Sequence, residues 1–131
     1  MKRLPLVSEY MDTEVPTLRS DTSLLDAVDF LLSHKVTGAP VMDGNALVGI
    51  FTEKDAMRLL AEGANAEAAR GTVADYMTRK VETIPSTMDI YFAAGLFLRS
   101  PFRRFPVVDD GRLVGAITRF DILRAIQANL R

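Results

Sequence analysis

Shifted along itself by 66 positions, the sequence matches itself without a gap: Tyr10-Met11 falls on Tyr76-Met77, Pro40-Val41 on Pro106-Val107, and Leu47-Val48-Gly49 on Leu113-Val114-Gly115. Self-similarity at a fixed period marks a duplicated structural unit. Each copy takes about half of the 131 residues, a length at which a single core is marginal by itself, so the copies are expected to bury a face against each other. The repeat divides the chain into 1–66 and 67–131.

Each copy opens with a short segment, Val7 to Met11 or Thr72 to Met77, and a β-prone stretch, Val15 to Leu18 or Val81 to Ile84. A helix follows. Leu24, Ala27, Val28, Leu31 and Leu32 form an apolar stripe at helical spacing behind a cap-like Ser23/Asp26 pair, and Ile90, Ala93, Ala94, Phe97 and Leu98 repeat it. Next come two strands around Asp43-Gly44-Asn45 or Asp109-Asp110-Gly111, turns that call for positive φ. A second helix closes the copy, with Met57, Leu60 and Ala61 or Ile122, Leu123 and Ile126. The order is β-α-β-β-α. Its crossover makes one strand pair parallel and its tight turn makes the next antiparallel. The fold class is therefore α/β (α+β), each copy a small mixed sheet with helices on one face. The Ala/Gly-rich stretch Glu62 to Gly71 reads as a connector.

Composition removes several classes of function. With no cysteine and one histidine, His34 at a helix end, the chain offers no disulfide, thiolate metal site or cysteine nucleophile. A net charge of −1 gives no general field for duplex nucleic acid. Apolar residues make up 48% and charged residues 25%, yet no apolar run reaches the 18 or so residues of a membrane helix. The expectation is a cytoplasmic protein without membrane insertion. No phosphate loop or nucleophile motif is present, so the expectation is also a non-enzyme.

One motif recurs whole: Gly49-Ile50-Phe51-Thr52-Glu53-Lys54-Asp55 and Gly115-Ala116-Ile117-Thr118-Arg119-Phe120-Asp121. Thr-x-x-Asp before a helix is a capping box, worth about 0.5–2 kcal/mol. It is also compatible with a ligand. A threonine hydroxyl can accept a backbone N–H while donating to a phosphate, and the helix N-terminus favours an anion. The carboxylate would repel phosphate but suits the vicinal hydroxyls of a ribose. Gly49 and Gly115 weaken strands unless a close approach needs them, and packing between the halves is the expected reason. Met11 and Met77 read as adaptable filler between the repeats. The aromatics Phe30, Phe51, Tyr91, Phe92, Phe97, Phe102 and Phe120 read as core or inter-half packing.

A duplicated unit of this order, with apolar-Pro-Val before the turn and Leu-Val-Gly-x-x-Thr-x-x-Asp after it, resembles a pair of cystathionine-β-synthase (CBS) domains along nearly the whole chain. The resemblance implies a pseudo-two-fold module with two clefts between the halves. It implies a bound adenosine nucleotide (AMP, ADP or ATP), no required cofactor, a homodimer, and an enzyme or transporter as the regulated partner. It assigns Asp55 and Asp121 to ribose and Thr52 and Thr118 to phosphate. The backbone at Ala39 and Phe105, before Pro40 and Pro106, is assigned to the adenine edge. Arg103 and Arg104 match positions that face phosphate in some relatives, whereas the first copy has Thr37 and Gly38 there, with Lys35 nearby. Unequal clefts are expected, the arginine-bearing one preferring the more highly charged ligand. Two other readings stay open: a ligand-free assembly module, and a site for S-adenosylmethionine or NAD.

Overall fold

The computed structural model describes residues 3–61 and 70–130; most of the expected connector, positions 62–69, lies outside the described residues. The described part comprises two compact units, Pro16–Val81 and the combination of Met1–Val15 with Glu82–Arg131. The sequence repeat and the compact units thus divide the chain differently: each repeat's opening segment packs in the unit built from the rest of the other repeat. Apolar anchoring explains the exchange. Val73 and Met77 are buried among Leu18, Leu24 and Phe51, and Val7 is buried among Ile84, Ile90 and Phe105.

In the first unit, β1 (Leu18–Arg19) leads into α1 (Leu24–His34), then β2 (Gly38–Asp43), β3 (Ala46–Thr52) and α2 (Glu53–Ala61). The short α3 (Val73–Tyr76) completes it. β1 lies parallel to β2 and β2 antiparallel to β3, the mixed sheet that the crossover and hairpin require. Ser23 caps α1 by accepting the Asp26 N–H at 3.2 Å, and Lys35, at φ 54°, ends it in the left-handed conformation. Lys35 is therefore a helix terminator.

The second unit holds α4 (Ile90–Arg99), β4 (Arg104–Asp109), β5 (Arg112–Thr118) and α5 (Arg119–Asn129), with the 3-10 turn Val7–Glu9. β4 and β5 pair antiparallel, and Ile84 bridges Val107 in parallel where the first unit has β1. In the turns, positive φ falls on Gly44 in the first hairpin and on Asp110 and Gly111 in the second. Asn45 does not need it. α1 packs on α2, and α4 on α5.

The core aromatics are Phe51, Phe97 and Phe105, with Phe30 and Phe102 partly buried against them. Tyr91, Phe92 and Phe120 are instead exposed, at 54%, 56% and 70%. The helical period places these three on faces that α4 and α5 turn outward.

Candidate functional site

The repeated motif forms the same corner in both units, where a strand ends and a helix begins. In the first, the Asp55 carboxylate Oδ2 accepts the Thr52 backbone N–H at 2.9 Å and the Thr52 hydroxyl at 3.0 Å. The Asp55 N–H returns to Thr52 Oγ1 at 3.3 Å. The second corner repeats this with Thr118 and Asp121 at 2.9, 3.1 and 3.3 Å. The capping box is real in both, and both carboxylates are buried. A third Thr-x-x-Asp, at Thr72–Asp75, caps α3 with the Thr72 N–H 2.9 Å from Asp75 Oδ2, but Asp75 is exposed. The extra burial at Asp55 and Asp121 comes from the opening segments.

An arginine three residues on bridges each aspartate to that segment. Arg58 Nη2 donates to Asp55 Oδ1 and to the Tyr76 carbonyl, both at 2.6 Å. Arg124 Nη2 donates to Asp121 Oδ1 at 3.0 Å and to the Tyr10 carbonyl at 2.9 Å. Sequence reasoning passed over this pair, although Arg58 and Arg124 coincide at the 66-residue offset. Backbone pairing brings the segment closer still: Thr78 exchanges hydrogen bonds with Ile50, and Asp12 with Ala116. The glycines make room for it. A β-carbon on Gly49 would lie 2.8 Å from Met77 Sδ, so the packing between repeats expected of Gly49, Gly115, Met11 and Met77 is a close backbone approach.

The two corners differ at two places. Thr78 donates its hydroxyl to Asp55 Oδ1 and Oδ2 at 3.2 and 3.4 Å. At the equivalent place in the second unit stands Asp12, whose Oδ1 instead accepts the Glu14 N–H at 2.9 Å. The second difference is at the strand start, where Gly38 pairs with Thr52 and Arg104 with Thr118. Arg104 is half-buried. Burial lowers its pKa from the ordinary value, and the charges of Asp12 and Asp121 act to raise it. A desolvated guanidinium thus stands beside Thr118 and Asp121, the cation type best suited to phosphate oxygens.

The remaining candidates divide by burial. Arg103 is exposed ahead of β4. Ala39, Pro40, Phe105 and Pro106 are buried, and Phe105 packs against Phe97 with centroids 4.7 Å apart and the rings tilted by 55°. Those four side chains are core, so only backbone atoms at these positions are suited to meet a ligand.

The comparisons with known proteins agree with this architecture. The CBS domain profile matches residues 7–62 and again 73–128. The uncharacterized protein MJ1225 of Methanocaldococcus jannaschii is 34% identical over 121 residues, which are 92% of this chain and 42% of that protein. CBSX2 of Arabidopsis thaliana, a chloroplastic CBS domain-containing protein, is 30% identical over 82% of this chain and 57% of its own length. The crystal structure of CBSX2 in complex with AMP superposes at a TM-score of 0.86 with 33% identity, covering 97% of this chain and 99% of that one. The CBS domain pair of MJ0100, in complex with 5-methylthioadenosine and S-adenosyl-L-methionine, superposes at 0.83 with 29% identity, covering 96% and 98%. This chain therefore belongs to the CBS-domain family and carries two CBS domains in tandem.

Proposed function

We propose that this chain is a regulatory module that binds an adenosine nucleotide at its Thr-x-x-Asp corners and passes the occupancy to a partner protein by a change of conformation. The observation that carries the reading is the second corner. A threonine hydroxyl at a helix N-terminus, a buried carboxylate and a half-buried arginine meet there, with donors for phosphate and acceptors for ribose in one place. CBSX2 with AMP and the MJ0100 pair with adenosine-containing ligands support the same ligand class. In this reading Thr118, Asp121 and Arg104 contact the ligand directly, and Phe105 contributes backbone to the adenine edge. A cytoplasmic homodimer is part of the proposal: Phe120, Leu123, Ile126 and Leu130 leave an apolar face of α5 and its end exposed.

A thermal-shift panel of AMP, ADP, ATP, S-adenosylmethionine and NAD tests the ligand class. Ligand at about 100 times its dissociation constant adds about 2.7 kcal/mol, a shift of several degrees at this size. If only S-adenosylmethionine or NAD raises the melting temperature, the ligand is reassigned. If none does, the corners are caps and the chain is an assembly module.

A further inference from the structure

We propose that the residue supplied by the opening segment, Thr78 in one corner and Asp12 in the other, decides which aspartate can take a ribose, so that each chain binds one adenosine nucleotide, at Asp121. This rests on the adenosine reading of the corners and adds which of the two is used.

The inference follows from the acceptor capacity of a carboxylate, about four lone-pair directions. Asp55 meets four donors: the Thr52 N–H, the Thr52 hydroxyl, Arg58 and the Thr78 hydroxyl, the last spread over both oxygens. It is 3% exposed. Among the described residues, Asp121 meets three: the Thr118 N–H, the Thr118 hydroxyl and Arg124. It is 9% exposed. One acceptor direction of Asp121 is open, and a second opens when the Thr118 hydroxyl turns to donate to a phosphate. Two directions serve the two vicinal hydroxyls of a ribose. At Asp55 the same turn of Thr52 releases only one, because Thr78 is held in place by its backbone pairing with Ile50. A ribose there would have to displace the Thr78 hydroxyl, which the backbone pairing keeps beside the carboxylate, and the bond lost offsets the one gained.

The reciprocal nature of the difference makes it testable in both directions. Thr78→Val removes the donor from the first corner while keeping its shape. Asp12→Thr installs a hydroxyl beside Asp121 and removes a negative charge near the phosphate site. Charge alone makes Asp12→Thr bind AMP more tightly; saturation of Asp121 makes it bind more weakly. The opposite signs separate the two causes.

Isothermal titration with AMP measures stoichiometry and affinity for the wild type, Asp121→Asn, Thr78→Val and Asp12→Thr. The expected results are one AMP per wild-type chain, loss of that site in Asp121→Asn, and a second site in Thr78→Val. Asp12→Thr is expected to weaken binding by about tenfold, the ~1.4 kcal/mol of one hydrogen bond. Two AMP per wild-type chain, or tighter binding by Asp12→Thr, overturns the inference and leaves the adenosine reading standing. A wild type that binds neither AMP nor any other member of the ligand panel overturns the adenosine reading itself. Two AMP per wild-type chain overturns the inference even if a variant fails to fold, and AMP binding kept by a folded Asp121→Asn overturns it where the stoichiometry is one.

Discussion

Gly115 lies so close beneath Met11 that a β-carbon there would stand 2.9 Å from Met11 Sδ, and 2.6 Å from the Asp12 carbonyl oxygen. The sulfur end of a methionine can move aside, but the carbonyl is held by its bond from the Ala116 N–H. Gly115→Ala is therefore expected to destabilise by roughly 1–3 kcal/mol, as overpacking does. Gly95→Ala in α4 meets only the guanidinium end of Arg99, at 3.5 Å, and is expected to stabilise by roughly 0.4–1 kcal/mol. Urea midpoints measure both; a Gly115→Ala midpoint equal to wild type would show that the segment approaches less closely.

Arg124 ties Asp121 to the Tyr10 carbonyl, yet its side chain is 52% exposed. Solvent screens such a pair, so Arg124→Met is expected to cost less than about 1 kcal/mol of global stability. The local effect is larger. Amide exchange at Met11 and Asp12, whose N–H groups bond to Val7 and Ala116, is expected to quicken several-fold while the β4–β5 ladder stays protected. Exchange that is unchanged at these two residues argues against a clamp.

Thr72 and Thr118 both precede capping aspartates, but only Thr118 stands beside Arg104. Alanine at Thr118, whose hydroxyl accepts the Asp121 N–H, is expected to cost about 0.5–2 kcal/mol, and alanine at Thr72, whose side chain accepts no such bond, less. Under the proposed function the thermal shift given by AMP survives in Thr72→Ala and shrinks in Thr118→Ala. Equal shifts in the two variants would mark Thr118 as a cap alone.

Arg104 is expected to recognise phosphate. Arg104→Ala should weaken AMP binding by about 1.5–3 kcal/mol, the range of charge-assisted hydrogen bonds, and leave adenosine nearly unaffected. Arg103→Ala, at an exposed position, should give a smaller loss. Competition binding with the two ligands checks this, and parallel losses for AMP and adenosine would remove the phosphate assignment.

Acid sensitivity follows from two carboxyls. Glu9 is held below its usual range by Arg3 and then by the Leu6 N–H, and Asp109 by the Ser86 hydroxyl and then the Ser86 N–H. A carboxyl with a folded pKa below its unfolded one contributes stability above the unfolded value. That contribution is lost as pH falls through the folded pKa. Melting temperature is thus expected to drop between about pH 5 and pH 3, the range in which carboxyls titrate. Glu9→Gln and Ser86→Ala should each flatten the slope. An unchanged slope in both would place the acid sensitivity elsewhere.

Much of the architecture was legible in the residues. The helical stripes from Leu24 and Ile90 gave α1 and α4, Ser23 gave a cap, and the Gly44 and Asp110-Gly111 turns gave the hairpins. These are local: period, cap and turn chemistry act within a few residues. The exposure of Tyr91, Phe92 and Phe120 was not legible, because an aromatic residue carries no mark of which helical face the rest of the chain will cover.

By itself the sequence determined that there are two equivalent corners, since a repeat at fixed spacing must place Thr52-Asp55 and Thr118-Asp121 at the same point of the same motif. The residues also showed one inequality, Arg103-Arg104 in the second copy where the first has Thr37-Gly38; only the tertiary structure decided that the two carboxylates differ in the donors that reach them. Each opening segment crosses into the unit built from the other repeat, so the residue beside Asp55 is Thr78 and the one at the matching place near Asp121 is Asp12. Which donors reach a buried carboxylate depends on backbone pairing across long stretches of chain, Ile50 with Thr78 and Asp12 with Ala116, and no local pattern encodes that pairing.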